Sequence, residues 1–329
     1  MQKLPVPPDN SFFYRTDVSG CRHLKVRPWR WLTAVLLAAA FLLSYFLDIQ
    51  VLEGSMVASR LMGFHLADLY SGLEVIAAHG SIATNLALGM TFIGLAYWIL
   101  GGRTFCAWAC PYGLLSEWAE LIHLNLVKKG WIRHRRLLTT RIKYVFTVSF
   151  LAASFLSGYL VFSHINLVGL LSRLMIYGLT ESALIIIFVL VVEIFFSRRF
   201  WCRAVCPSGA VYGLLNPVSI IRIEADRSRC DKCGACTPNC HVPEALADVF
   251  EKKDGTVFLN STDCTMCAKC MDSCSRNVFH FSNRLKRSLD VILPFATPST
   301  FHGVAKHAIF AGVQRQRRSA PAEQGAQHL

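Results

Sequence analysis

The spacing C-x-x-C-x-x-C-x-x-x-C occurs twice in this chain, at Cys230, Cys233, Cys236 and Cys240 and again at Cys264, Cys267, Cys270 and Cys274. Three thiolates on one tight loop hold three irons of a cubane, and the fourth cysteine reaches across to the neighbouring cluster. Two copies therefore predict two [4Fe-4S] clusters with crossed ligation. Cys230, Cys233, Cys236 and Cys274 surround the first, and Cys264, Cys267, Cys270 and Cys240 the second. Zinc is the competing metal, but four-cysteine zinc sites generally use two C-x-x-C pairs rather than a repeated three-plus-one run. "GTVFLNSTDC" before the second run and "NVFHF" after it alternate as short strands do. Residues 221–281 thus read as a small ferredoxin-like α+β module.

What precedes that module is apolar. Four stretches, near 31–47, 82–100, 144–162 and 179–196, approach the roughly 20 helical residues that cross a hydrocarbon core. Trp29, Trp31, Tyr45, Tyr97 and Trp98 stand near their ends, where aromatic residues favour the membrane interface. A composition 53% hydrophobic and 17% charged, with a net charge of +13, suits a membrane protein better than a soluble one. The segment 102–143 carries Arg103, Lys128, Lys129, Arg133, Arg135, Arg136, Arg141 and Lys143, whereas 48–81 and 163–178 carry only Arg60 and Arg173. The positive-inside rule then puts both termini and the cysteine module in the cytoplasm of a multi-pass inner-membrane protein. The basic run "VKKGWIRHRR" reads as a topology determinant between two spans, not as a nucleic-acid site. No leader with a small-residue cleavage pattern precedes the first span. None of the thirteen cysteines falls in an outer segment, so thiolates for metals are expected and a disulfide framework is not.

The apolar part repeats itself. The second stretch runs into "RTFCAWACPYGLL" and the fourth into "RRFWCRAVCPSGAV", so each pair of helices ends in C-x-x-x-C-P-x-G. Both copies enter from the same face, as in a parallel repeat of a two-helix unit. The proline in each copy predicts a turn that opens a new helix at Pro111 and Pro207. Cys106, Cys110, Cys202 and Cys206 could share a metal, act as dithiols or line a quinone-access site, or simply pack in a tight turn. Glu193, at the inner end of the fourth stretch, is a costly intramembrane carboxylate. It either accepts a quinol proton or pairs with Arg198 or Arg199. Glu74, His79, His164 and Glu181 are expected near water at the outer ends, and residues 49–80 as a short interfacial helix. Cys21 stands alone, and residues 282–329 read as a basic disordered tail.

The fold expected is therefore a membrane α-helical protein. Residues 1–30 form a cytoplasmic segment, 31–220 hold four transmembrane helices in two repeated hairpins, and the two-cluster module follows. "FCAWACPYGLLSEWAEL", "WCRAVCPSGAVYGLL", "CDKCGACTPNC" and "CTMCAKCMDSCSRNVF" together resemble the NapH-type ferredoxin-like membrane proteins of periplasmic nitrate reductase systems, from the first span to about residue 282. MauN-, NosR- and CcoG-type proteins share these parts. The resemblance implies a quinol dehydrogenase component that takes quinol as substrate and passes electrons from the quinone pool toward a periplasmic reductase. It implies a NapG-type iron-sulfur protein and a c-type cytochrome as partners. The chain departs from the family pattern where Pro243 stands three residues after Cys240, and in its C-terminal extension. The rival reading is a redox maturation factor of the CcoG or NosR kind, which metal such as copper at Cys106, Cys110, Cys202 and Cys206 would favour.

Overall fold

The computed structural model describes residues 12–18, 20–47, 52–54, 57–61, 64–132, 138–251 and 255–285. Arg133, Arg135, Arg136 and almost all of the basic tail lie outside them. Residues 1–282 form one compact unit, so the apolar helices and the cysteine module share a single body; the second unit spans 283–329.

A hairpin of β1 (Tyr14–Thr16) and β2 (Arg22–Leu24) precedes α1 (Arg27–Phe46), which opens on a proline whose missing N–H costs nothing there. Strands β3 (Leu52–Gly54), β4 (Ala58–Leu61) and β5 (Phe64–Ala67) follow as an antiparallel sheet. Then come α2 (Leu69–His79), α3 (Thr84–Leu100) and α4 (Thr104–Trp108), and after them α5 (Pro111–Lys128) and α6 (Ile142–Ser157). Next are α7 (Val161–Ile165), α8 (Leu167–Tyr177) and α9 (Glu181–Phe195). One π-helical turn, Trp201–Val205, leads into α10 (Pro207–Leu215).

The four expected spans correspond to α1, α3, α6 and α9. Among the described residues, only α1 is long and apolar enough to cross a membrane by itself; α3 and α6 are shorter apolar helices. The stretch near 144–162 is cut because Gly158 takes the left-handed conformation (φ +69°) and caps α6, leaving α7 as a separate element. Residues 49–80 differ more from expectation. Their described part is the β3–β5 sheet followed by α2, which Asp68 caps by accepting the Ser71 N–H. The strands are three or four residues long, too short for an alternation that would separate them from an interfacial helix.

The module itself is a three-stranded sheet in the order β7 (Thr256–Phe258), β6 (Ile221–Asp226), β8 (Phe279–Asn283). Helices α11 (Cys236–Asn239), α12 (Ala247–Glu251) and α13 (Lys269–Ser273) complete it. The strands expected on either side of the second cysteine run are β7 and β8. Central strand β6 pairs antiparallel with β7, Ala225 opposite Val257, and it buries Arg222, Ile223, Glu224 and Ala225 in succession. That removes the alternation by which a half-exposed strand is recognised. Ile223, Leu246, Val249 and Phe279 form its core, and the cluster cysteines pack against them. A separate core of Tyr70, Phe162, Leu167, Ile186 and Trp201 lies among the helices.

Asp263, the residue before Cys264, joins the two parts. It accepts Thr140 Oγ1–H at 2.7 Å, pairs with buried Lys143, and lies 3.5 Å from Arg103 Nη1. Two of the eight cations that suggested an inner loop, Arg103 and Lys143, are thus buried at this junction. Burial is affordable there because each has an anionic partner.

Candidate functional site

Both cysteine runs wind the same way. Lys232 and Gly234 in the first run, and Met266 and Ala268 in the second, occupy matching positions around the second cysteine, and all four have positive φ. Three of them are not glycine, so the chain accepts a conformation that costs an L-residue about 1–2 kcal/mol. Residues that alternate in this manner turn successive N–H groups inward as a nest, the concavity that binds anionic iron-sulfur centres.

Cys240, Cys264, Cys267 and Cys270 line one cavity of about 330 Å³ with His241. Cys274 lies on the other side, within electrostatic reach of Cys233 and Cys236. His241 lines the same cavity, with Nδ1 on Glu120 and its ring within hydrogen-bonding influence of the Cys267 thiol. Two matching nests and four thiols lining one cavity fit a [4Fe-4S] cluster. Burial pushes the Cys264 thiol up to about 12. For Cys267 burial acts in the same direction, but His241 and Arg30 outweigh it and hold the thiol down to about 6.

An ion network that sequence reasoning missed braces this second cavity. On α5 the side chains of Ser116, Glu117, Glu120 and His123 are buried on one face. Glu117 accepts Arg30 Nη2–H at 2.6 Å and lies 3.3 Å from Lys269. Glu120 accepts from Arg199 Nε and Lys269 Nζ, both at 3.3 Å, and lies 2.9 Å from His241 Nδ1. Lys269 directly precedes Cys270 and His241 directly follows Cys240, so one carboxylate ties together both sides of the cavity. Burial alone would raise the two carboxyls, yet Lys269 and the surrounding cations hold both below the ordinary carboxylate range. The signal in the sequence was E-x-x-E-x-x-H directly after a C-P motif, a spacing that puts all three on one helical face. Arg199 takes a left-handed backbone (φ +56°) in the sharp turn that aims it at α5.

The two C-x-x-x-C-P segments also converge. Helices α5 and α10 begin at Pro111 and Pro207 as expected, with Cys110 and Cys206 as their N-cap residues. Cys106, Cys110, Cys202 and Cys206 together line a cavity of about 560 Å³ that Arg103 and Tyr112 also face.

Glu193 is fully buried on α9, where its Oε1 accepts the Trp201 N–H at 3.1 Å and supports the π-helical turn. Arg198 and Arg199, the partners expected for it, instead pair with Glu120. Glu74 is likewise buried rather than exposed at an outer end. It accepts from Ser154 Oγ, Phe162 N and Ser163 Oγ, which fixes the start of α7 against α2 and α6. Cys21 is exposed. Pro243 opens a short 3₁₀ turn, Pro243–Leu246, beside which Arg203 donates to the His241 carbonyl and pairs with Glu244.

A family model described as a 4Fe-4S binding domain matches residues 83–134 and 180–223. Among curated proteins, the ferredoxin-type protein NapH of Haemophilus influenzae is 30% identical over 263 residues, covering 79% of this chain and 90% of its own length. The methylamine utilization ferredoxin-type protein MauN of Paracoccus denitrificans is 32% identical over 250 residues, or 75% and 87% of the two chains. NapH of Escherichia coli is 30% identical over 283 residues, or 81% and 95%. No solved structure matches the chain.

Proposed function

Because this chain belongs to the ferredoxin-type family that includes NapH and MauN, and is an iron-sulfur electron-transfer protein, we propose that it is a membrane quinol dehydrogenase component. It takes electrons from quinol into two [4Fe-4S] clusters and passes them toward a periplasmic reductase of the nitrate reductase kind. Cys230, Cys233, Cys236 and Cys274 hold the first cluster, and Cys264, Cys267, Cys270 and Cys240 the second. The observation that carries the reading is the second cavity, where Cys240 faces the three cysteines of the other run. Bound there, the clusters supply one-electron redox chemistry; this chain supplies the thiolates, the His241 donor and the Glu120 brace. A NapG-type iron-sulfur protein and a c-type cytochrome are the proposed partners.

The bilayer is the proposed setting for α1, α3, α6 and α9. Leu36, Leu43, Phe92, Val148, Ile187 and Phe188 on these four helices are each more than half exposed. So much unpartnered apolar surface on neighbouring helices suits lipid rather than water. Inner-membrane topology with both termini inside gives a direct expectation for Cys21. A membrane-impermeant maleimide should label it in inside-out vesicles and spare it in right-side-out cells, with Cys21→Ala as the blank. Labelling from the outside only would reverse the topology.

Glu193 is the proposed acceptor of a quinol proton, reached through Tyr112, whose hydroxyl is buried with no other partner. Glu193→Gln keeps an acceptor for the Trp201 N–H and removes the base. We expect quinol-driven cluster reduction to slow by about 100-fold while dithionite reduces the clusters fully. An unchanged rate restricts Glu193 to supporting the turn. The reading as a whole is tested by anaerobic reduction of the clusters with a quinol analogue.

A further inference from the structure

The eight cysteines of the ferredoxin module leave the four of the C-x-x-x-C-P repeats without a role. Each repeat presents its pair in the same way, one thiol in a short helical turn and the second at the N-cap of the next helix, α5 or α10. Cys110 Sγ accepts the Gly113 N–H at 3.3 Å, which fixes the sulfur at the start of α5. The glycine of the first C-P-x-G is demanded by close approach, since a Cβ on Gly113 would meet the Cys106 carbonyl oxygen at 2.5 Å, whereas one on Gly209 would crowd only the end of the Arg103 side chain at 3.1 Å. Gly209 of the second repeat lies against Arg103, which precedes the first, and all four cysteines line one cavity.

That cavity is separate from the one at Cys240: Cys106, Cys110, Cys202 and Cys206 line it with Arg103 and Tyr112, and no cysteine of the ferredoxin module does. Among the described residues, no three of His, Cys, Asp and Glu converge on a point where they would share a single ion. Four cysteine thiols lining one cavity are the donor set that iron-sulfur centres use. Arg103, 2% exposed, supplies a fixed positive charge at the wall, and such a charge offsets the anionic character of iron bound by four thiolates. The segments matched by the 4Fe-4S family model, 83–134 and 180–223, contain these four cysteines and none of the eight others.

We propose that Cys106, Cys110, Cys202 and Cys206 hold a third iron-sulfur cluster, one thiol pair from each repeat. Its place beside the second ferredoxin cluster is fixed by two hydrogen-bond links. Arg103 donates to the Cys202 carbonyl at 3.2 Å and to the Asp263 carbonyl at 3.0 Å, next to Cys264. Trp108, between Cys106 and Cys110, donates through Nε1 to the Met266 carbonyl at 3.1 Å, next to Cys267. The centre extends the electron-transfer reading above and rests on it for the iron expected elsewhere in the chain.

The test is iron and sulfide analysis with native mass spectrometry of the full chain, purified without oxygen. Two cubanes account for about eight irons; we expect an excess of about two or about four, according to nuclearity. A Cys106→Ser, Cys202→Ser double variant should lose that excess and keep the ferredoxin signals in electron paramagnetic resonance. About eight irons in the wild type with the four thiols open to alkylation overturns the proposal, as does zinc or copper at these cysteines. If the double variant does not accumulate, the wild-type mass decides alone. Absence of the ferredoxin signals from the wild type would sink the proposed function instead, and iron that depends on Cys106 and Cys202 would still support the third centre.

Discussion

Replacing Cys240 by Ser should remove the cluster held by Cys264, Cys267 and Cys270 while its neighbour survives. Cys240 belongs by sequence to the first run, so a simple reading of the motif expects the opposite loss. In the folded chain its sulfur faces the cavity of the second run, and Cys274 takes the matching place near Cys233 and Cys236. Removing one of four thiolates leaves iron that is readily lost, so about half of the ferredoxin iron should disappear. The surviving signal after dithionite reduction identifies the cluster that remains. Cys274→Ser should give the reciprocal result. Loss of the cluster at Cys230, Cys233 and Cys236 in the Cys240 variant contradicts crossed ligation.

Glu120→Gln should cost about 3–5 kcal/mol, because it removes one of the two carboxylates that neutralise this group of buried cations and leaves Glu117 alone among them. Arg198, Arg199, His241 and Lys269 all lie within 3.5 Å of this carboxylate, and both arginines are almost inaccessible to solvent. In detergent the melting temperature should fall by on the order of 10 °C. The second cluster should be the first to bleach, since its flanking residues His241 and Lys269 lose their common tie. The sign of the pH dependence follows from the same network. In the folded chain Glu117 and Glu120 both ionise below their ordinary value of 4.5. Their pairing therefore contributes fully above about pH 4.5 and is lost as the pH falls through the depressed range. Wild-type stability should decline steeply on acidification below that point, and the Glu120→Gln variant should show a shallower decline. Equal slopes, or a melting temperature unchanged by the substitution, contradict the role given to the network.

The metal chemistry of this chain was legible because spacing alone constrains it: cysteines at fixed short intervals have few uses, and both runs fold into the same nest. Proline and glycine made the α5 and α10 starts equally readable, since Pro111 and Pro207 suit only the first turn of a helix. Other features depend on contacts between residues far apart in sequence. Arg103 and Lys143 look like loop cations until Asp263 is found between them. Glu117 and Glu120 look like the polar face of a surface helix until Arg30, Arg199 and Lys269 close over it. Glu193 carried the right signal of cost, since a buried carboxylate needs partners, whereas Glu74 gave none and was expected near water. What sequence did not reveal is that those partners include backbone N–H groups at the start of α7 and in the π-helical turn. The β3–β5 sheet was hidden for a different reason, as its strands are three or four residues long and their alternation is brief.

The account centres on electrons entering iron-sulfur clusters from quinol. The most direct measurement is anaerobic addition of a reduced quinol analogue to the purified full chain, with the clusters followed by electron paramagnetic resonance and dithionite setting the full amplitude. The account predicts cluster signals that grow with quinol and are slowed in the Glu193→Gln variant. Intact clusters that dithionite reduces and quinol leaves oxidised contradict quinol dehydrogenase chemistry by this chain, and would favour a maturation role for its thiols.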